Sequence, residues 1–214
     1  MNYVDAHTHT FSKEKNVLSI VNKYPTSKDF SSPFSIGIHP WFINQENLEQ
    51  EILFVEEKLN DKNCLAIGEC GLDTLIDVDF RFQKEVFVRQ IQLSEKYKKP
   101  LIIHCVKAHQ EIIEFKKTLR PKQVWVLHGF NKSLQMAESC IKNQLILSFG
   151  KAIINKNKLA EVFQKLPLKK ILLETDNDNV SIFEVYKKAS EIKNIEVVKL
   201  QKQLEQNFKN IFIK

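Results

Sequence analysis

Short apolar runs alternate with amphipathic segments along the chain. Eight runs have the length and composition of β-strands, at residues 3–6, 17–21, 34–38, 64–67, 101–103, 124–127, 145–149 and 171–173. Some are apolar on both faces, which is typical of parallel strands covered on each side. Helical periodicity appears between the later runs, for example over residues 45–59 and 80–97. This pattern predicts parallel strands joined by right-handed helical crossovers.

The number of strands indicates the fold class. Eight strands in 214 residues suit a compact (β/α)8 TIM barrel, below the ~250 residues typical of that fold but within its range. The chain is shorter than a typical barrel near its N-terminus. Residues 24–33 have the composition of a loop, so the segments between the first strands leave no room for two full helices. We therefore expect α/β architecture with shortened N-terminal βα units.

The C-terminal part predicts two further helices. Ser181 and Glu184 have the spacing of a capping box, which opens a helix. A last helix runs through Leu200 and Ile211. No internal repeat or linker divides the chain, so we expect a single domain over residues 1–214.

Composition favours a folded enzyme-sized domain over disordered or membrane classes. Hydrophobic residues make up 43% and charged residues 27%, the balance of a packed globule. No apolar run approaches the ~20 residues that span a bilayer, and residues 1–5 do not resemble a signal peptide. We therefore expect a cytoplasmic protein with no membrane partner. The net charge of +6 slightly favours an anionic partner.

Side chains with metal-ligand chemistry lie at or just after the ends of predicted strands. Glu69 and Asp176 occupy such positions, and so do five of the six histidines, namely His7, His9, His39, His104 and His128. In parallel α/β folds, the loops at the carboxyl ends of the strands build the active site. These side chains are therefore expected to converge although they are distant in sequence.

A metal centre explains these residues jointly, although each has an ordinary explanation as a core histidine, a helix cap or a surface acid. His7 and His9 have period-2 spacing, which puts both imidazoles on one side of an extended segment. Imidazoles and carboxylates without thiolates suit Zn, Mn, Co or Fe, with Mg at a carboxylate-rich position. Six ligands exceed one tetrahedral ion and suit two ions with a bridging carboxylate, which we assign to Glu69.

Seven short motifs run in order along the chain: Asp5-Ala6-His7-Thr8-His9, Gly37-Ile38-His39-Pro40, Ala66-Ile67-Gly68-Glu69-Cys70-Gly71-Leu72-Asp73, Ile102-Ile103-His104-Cys105, His128-Gly129-Phe130, Ser148-Phe149-Gly150 and Leu172-Leu173-Glu174-Thr175-Asp176. Together they resemble the TatD family of metal-dependent hydrolases, in the amidohydrolase superfamily of (β/α)8 barrels. The resemblance implies a deoxyribonuclease that uses Mg or another divalent ion. The dinuclear site that it implies is held by His7, His9, Glu69, His104, His128 and Asp176.

The chain departs from the family pattern at two places near the expected substrate. The family commonly has His-x-Arg-Asp-Ala where this chain has His104-Cys105-Val106-Lys107-Ala108, so an arginine and an acid are missing. After Asp176 the family usually continues into a long substrate loop, whereas this chain leads directly into a helix.

The mechanism that we expect uses two divalent ions, Mg, Mn or Zn, to lower the pKa of a shared water. Asp176 accepts its proton, while Glu69 and the histidines hold the geometry. DNA or another phosphoester is the expected substrate, and the protein is expected to be a monomer.

Substrate contacts are expected from the loops around the metal ligands. Lys107, Lys132 and Lys151 follow strands and are candidates for pairing with phosphates. His39 either supports a ligand or substrate, or fixes the turn at Pro40. Trp41 and Phe42 pack in a loop or stack on bases. His109 is expected on a helix surface.

Two other functions remain open at this level. One is an amidohydrolase-type enzyme that cleaves an amide, a lactone or a small phosphoester, because its metal chemistry is nearly identical. The other is a non-catalytic binding protein with structural metals, against which the complete ligand set argues.

Overall fold

The computed structural model describes residues 1–213. Its strands are β1 (Tyr3–Thr8), β2 (Val17–Lys23), β3 (Phe34–Ile36), β4 (Cys64–Asp73), β5 (Leu101–Val106), β6 (Trp125–Leu127), β7 (Leu145–Phe149) and β8 (Ile171–Leu173). They form one eight-stranded sheet in chain order, β1 to β8. The pairs with a defined register are parallel, and a further parallel bridge joins Thr8 to Asp176, just after β8. This arrangement confirms the (β/α)8 barrel.

Eight α-helices occur in the described residues: α1 (Leu48–Lys58), α2 (Phe80–Tyr97), α3 (His109–Leu119), α4 (Leu134–Lys142), α5 (Ala152–Asn155), α6 (Asn157–Lys165), α7 (Ile182–Lys193) and α8 (Val197–Phe212). Residues 9–16 and 24–33, which link β1 to β2 and β2 to β3, contain no helix. This confirms the shortened N-terminal βα units. Within residues 1–213, no helix has both the length and the apolar character needed to cross a bilayer.

Four strands, β1, β2, β4 and β5, are longer than the sequence pattern predicts, and β4 and β5 extend the furthest. The apolar run at 64–67 ends before Gly68, but β4 continues to Asp73, and β5 continues to Val106. Gly71 pairs with His104 in the neighbouring strand. A Cβ at Gly71 would lie 2.1 Å from the His104 carbonyl oxygen, and its φ of +138° is one that residues with side chains rarely adopt. Glycine therefore allows the two strands to pair where it would otherwise be expected to interrupt a strand.

Contacts within the chain define two compact units. The first contains residues 1–21 and the chain from Leu127 onward, and the second contains Asn22–Val126. The single domain over residues 1–214 stays a prediction, and Lys214 lies outside the described residues.

The first unit is anchored by aromatic side chains and a helix cap. The Tyr186 hydroxyl of α7 accepts a hydrogen bond from the backbone N–H of Val4 in β1, at 3.0 Å. Ser181 and Glu184 form the predicted capping box at the start of α7, which satisfies backbone donors that a helix N-terminus leaves open. This cap fixes where α7 begins after the loop that follows Asp176.

The second unit contains β3, β4, β5 and helices α1 to α3. The ring of Phe87 on α2 packs at 5.7 Å from that of Trp125. Asp79 caps α2 by accepting hydrogen bonds from the N–H groups of Arg81 and Phe82. His109 is the first residue of α3 and is buried. The prediction that it lies on a helix surface was wrong, because periodicity along a helix does not show which neighbours cover its first turn.

Candidate metal centre

The first unit brings three of the six predicted ligands, His7, His9 and His128, close to a fourth, Asp176. Its Oδ1 lies 3.4 Å from Nε2 of His7 and 3.3 Å from Nε2 of His9. The His128 ring lies 4.3 Å from the His7 ring, centroid to centroid. Donor atoms of His7, His128 and Asp176 all lie within 4.8 Å of one another. This spacing suits shared coordination of one ion.

Backbone hydrogen bonds hold Asp176 against the end of β1. The Asp176 N–H donates to the His7 carbonyl at 2.9 Å, and the His9 N–H donates to the Asp176 carbonyl at 3.1 Å. Asp176 itself has a left-handed backbone, with φ of +55°. The ladder between β1 and the segment after β8 therefore brings residues 7, 9 and 176 together, as the sequence analysis predicted for strand ends.

Electrostatics at this group favour an ionised Asp176. Burial alone would raise the pKa of its carboxyl, but hydrogen bonds from His7 and His9 outweigh burial and lower the pKa well below its usual range. The side chain remains 38% exposed, whereas His7 is 1% exposed. A cavity of 520 Å³ adjoins Asp176. The carboxylate is therefore accessible from one side while its histidine partner is enclosed.

Two buried acids that the sequence analysis did not select support this group. Glu174 Oε1 accepts a hydrogen bond from the Gly129 N–H at 2.6 Å and lies 3.6 Å from Nδ1 of His128. Asp5 accepts hydrogen bonds from the backbone N–H and the hydroxyl of Thr175. Burial raises the pKa of Asp5 to about 7, against the lowering effect of these bonds. Both residues stand inside the quoted motifs, but only the structure shows their burial.

The second unit gathers Glu69, His104 and His39. Glu69 Oε1 lies 2.9 Å from Nδ1 of His104 and 3.1 Å from Nε2 of His39. Donor atoms of the three residues lie within 4.8 Å of one another. Asn22 donates a side-chain hydrogen bond to Glu69 Oε2 at 3.4 Å and accepts one from the Glu69 N–H at 2.9 Å. The Glu69 carboxylate is thus oriented from two sides.

Asp73 is a further acid of this group that the sequence analysis missed. Its Oδ2 accepts a hydrogen bond from the Trp41 indole at 2.7 Å and lies 3.3 Å from Nε2 of His104. Burial would raise the pKa of Asp73, but the hydrogen bonds from Trp41, Leu75 and His104 outweigh it and lower the pKa. A second carboxylate four residues after Glu69 on a strand was the available signal, since such residues share one face.

His39 combines two of the roles that were left open. Its Nδ1 accepts a hydrogen bond from the Trp41 N–H and so caps the short 3-10 helix Pro40–Phe42. Its Nε2 contacts Glu69. His39 therefore both fixes the turn at Pro40 and supports a candidate ligand, while its contact with substrate stays a prediction.

The three lysines predicted to contact phosphate lie in the segments that follow β5, β6 and β7. Lys107 follows β5 with a left-handed backbone, φ of +51°, and is exposed. Lys132 is exposed just before α4. The Lys151 Nζ lies 3.4 Å from Oδ1 of Asp178. Phosphate binding by these lysines stays a prediction.

Each group has the chemistry of a divalent-ion site. Both offer imidazole nitrogens and carboxylate oxygens, donors that suit Zn and Mn, with Mg favoured where carboxylates dominate. Carboxylate partners such as Glu174 and Asp73 orient the histidine rings, as in many protein metal sites. The donor sets therefore fit divalent ions. That all six predicted ligands surround one pair of ions, with Glu69 as the bridge, stays a prediction.

Comparison with known proteins gives consistent similarities. The family model described as TatD related DNase matches residues 4–213. An uncharacterized metal-dependent hydrolase of Haemophilus influenzae is 31% identical over 159 residues, which cover 70% of this chain and 60% of that protein. The human 3'-5' RNA nuclease TATDN2 is 31% identical over 66% of this chain and 19% of that protein. This chain therefore spans about three fifths of the length of the Haemophilus influenzae relative.

A solved structure supports the fold independently. The crystal structure of YjjV, a TatD homolog from Escherichia coli, superposes with a TM-score of 0.82 at 21% identity. The superposition covers 98% of this chain and 97% of that one. At this level of identity, the similarity supports the barrel fold alone.

Proposed function

The chain belongs to the family of TatD related DNases, and on that premise we propose that it is a divalent-metal-dependent hydrolase of phosphodiester bonds, with DNA as substrate. The observation that carries this proposal is the presence of two groups of imidazole and carboxylate donors, with the donor atoms of each group within 4.8 Å of one another: His7, His128 and Asp176 in one group, and His39, Glu69 and His104 in the other. Relatives named as a metal-dependent hydrolase and as an RNA nuclease support the same class of reaction.

One divalent ion is assigned to each group. His7, His9, His128 and Asp176 would hold the first, and Glu69 and His104 would hold the second, with His39 beside them. A divalent ion supplies Lewis acidity, which lowers the pKa of water and stabilises negative charge on phosphoryl oxygens. Mg, Mn and Zn all suit these donors.

The protein side chains orient the reactants and move the proton. Asp176, with its carboxylate held by His7 and His9 and open to solvent on one side, accepts the proton of the attacking water at its carboxylate. Glu69 is fixed by Asn22, His39 and His104 and keeps its oxygens in one orientation. Such preorganisation lowers the reorganisation needed during the reaction.

A substrate panel tests the function. Protein reconstituted with Mn²⁺ or Mg²⁺ is incubated with single-stranded DNA, RNA, a simple phosphodiester, amides and lactones, and the metal content is measured by elemental analysis. We expect two ions per chain and release of nucleotides from DNA. Turnover of an amide or lactone with no nucleotide release would favour the amidohydrolase alternative, and metal binding without any turnover would favour a binding protein.

Matched variants connect the activity with the site. Asp176→Asn removes the proton acceptor and is expected to lower kcat by ~100-fold or more. Asp77→Asn removes an exposed acid in the loop before α2, and it is expected to keep near-normal activity. Equal activity of the two variants would contradict the role of Asp176.

A further inference from the structure

An unassigned cavity lies beside His39 in the second unit. Its volume is 360 Å³, within the range of small-ligand sites. Its lining combines the apolar and aromatic residues Tyr24, Pro25, Ile38, His39 and Phe42 with the polar residues Thr26, Asn44, Asn47 and Glu51. His39 belongs both to this cavity and to the group around Glu69, which it contacts at 3.1 Å. A ligand in the cavity would therefore lie next to the candidate metal ligands of the same unit.

Phe42 presents exposed apolar surface at this cavity. The side chain is 55% exposed, and Trp41 beside it is 56% exposed. Phe42 is not loose, because it packs edge-to-face on Tyr24 at 5.2 Å and lies 5.6 Å from the His39 ring. A large aromatic ring held in place but left exposed is the arrangement by which proteins stack single-stranded bases.

The polar residues of the lining offer groups that match base edges. Asn47 precedes α1 without making a side-chain cap, and Asn44 uses its Oδ1 to accept a hydrogen bond from the Glu46 N–H. Carboxamides and carboxylates such as Glu51 form hydrogen bonds with the edges of unpaired bases. The cavity thus combines a stacking surface with hydrogen-bonding groups. This combination fits a base, because an aliphatic ligand has no polar edge that pairs with those groups.

We propose that this cavity, with Phe42 as its stacking surface, binds a nucleobase of a single-stranded nucleic acid substrate. The proposal rests on the proposed nuclease function and adds the part of the substrate that is recognised. The base stacks on Phe42, and His39, which lines the cavity and contacts Glu69, joins the base site to the group of candidate metal ligands. A neighbouring cavity of 320 Å³ shares the lining residues Pro25, Thr26, Asn47 and Glu51, so the groove has room beyond one base.

A kinetic experiment compares two substrates of equal length and charge. One is a short single-stranded thymidine oligomer, and the other carries abasic tetrahydrofuran residues in place of the nucleosides. We expect the wild-type protein to have a KM ~10-fold or more lower for the base-bearing oligomer, as stacking of a base predicts. In Phe42→Ala we expect this preference to be lost, because the KM for the base-bearing oligomer rises while kcat changes little. Phe42→Trp is expected to restore the preference. Leu53→Ala, which removes a 64% exposed side chain from α1, keeps the preference. A preference that persists in Phe42→Ala overturns the proposal.

A binding experiment separates this proposal from the nuclease function. The same two oligomers are titrated into chelator-treated protein, and tryptophan fluorescence reports binding without hydrolysis. Base-dependent binding that is lost in Phe42→Ala supports the base site, even where neither oligomer is hydrolysed and the nuclease proposal fails. Equal binding of both oligomers by the wild-type protein, or no binding of either, overturns the base site whatever the activity. Thermal unfolding of each variant confirms that its fold is intact.

Discussion

The indole Nε1 of Trp41 donates a hydrogen bond to Oδ2 of Asp73 at 2.7 Å, and this oxygen also lies 3.3 Å from Nε2 of His104. The opposite ring nitrogen of His104, Nδ1, faces Glu69 at 2.9 Å. A carboxylate on one imidazole nitrogen fixes the ring so that the other nitrogen is presented to a metal. Trp41 thus holds Asp73, and Asp73 holds His104.

Asp73→Asn removes the negative charge behind His104 and leaves the side-chain shape. We expect divalent-metal affinity to fall ~10- to 100-fold, the usual effect of losing such a partner. Calorimetric titration with Mn²⁺ measures the change. Asp77→Asn, at an exposed acid in the following loop, serves as the control, and equal affinities in the two variants would show that Asp73 does not act on the metal site.

Removal of metal is expected to lower stability, because an ion that binds only the folded chain adds its binding free energy to folding. At a Mn²⁺ concentration 100 times the Kd, the free energy of unfolding rises by ~2.7 kcal/mol. For a chain of this size, this corresponds to a Tm shift of ~5–10 °C. Thermal unfolding with Mn²⁺ and with EDTA measures it. Asp176→Asn should show a smaller shift and Asp77→Asn, at an exposed acid, the full one. An unchanged Tm in the wild-type protein would argue against bound ions.

Thr175→Val tests the buried support under Asp176. The Thr175 hydroxyl donates to Oδ2 of Asp5 at 2.6 Å, and valine would leave this buried carboxyl oxygen without that donor. We expect a loss of ~1–3 kcal/mol in the free energy of unfolding, measured by urea titration. Thr118→Val, which removes an exposed hydrogen bond to Glu114, is expected to cost less than ~0.5 kcal/mol. Similar losses in both would contradict the importance of the buried bond.

Lys116 gives the stability a pH dependence. Burial lowers its pKa to about 8, while in the unfolded chain it remains near 10.5. Between these values the unfolded chain binds more protons at Lys116, so the contribution of this residue to stability rises as pH increases from about 8 to 10.5. After a discount for solvent screening, the gain is ~1 kcal/mol. In urea titrations the wild-type protein should therefore gain stability relative to Lys116→Met as pH rises from about 8 to 10.5, and Lys117→Met, at an exposed position, should follow the wild-type protein. A difference between the wild-type protein and Lys116→Met that stays constant over this pH range would refute the assignment.

The sequence predicted the strands because each apolar run is interrupted by turn or loop residues, and the bounds of β7 and β8 agree with the structure residue for residue. It also identified the residues that surround Asp176, since histidines and acids at strand ends are unusual without a partner. It did not identify Asp73, because the apolar run that predicted the strand ends at Ile67, six residues before Asp73. The burial of His109 was also missed, because burial of a helix's first turn depends on neighbours that sequence periodicity does not reveal.

Gly71 carries no functional group, yet it decides how closely β4 and β5 approach at the level of His104. An alanine there would meet the His104 carbonyl oxygen and force the two strands apart. Glu69 and Asp73 lie two residues away on either side, so their distances to the imidazole would change together. The alignment of Glu69 and Asp73 with His104 therefore depends on the lack of a side chain at position 71. A screen for activity alone would find substitutions at this position as damaging as substitutions of the candidate metal ligands.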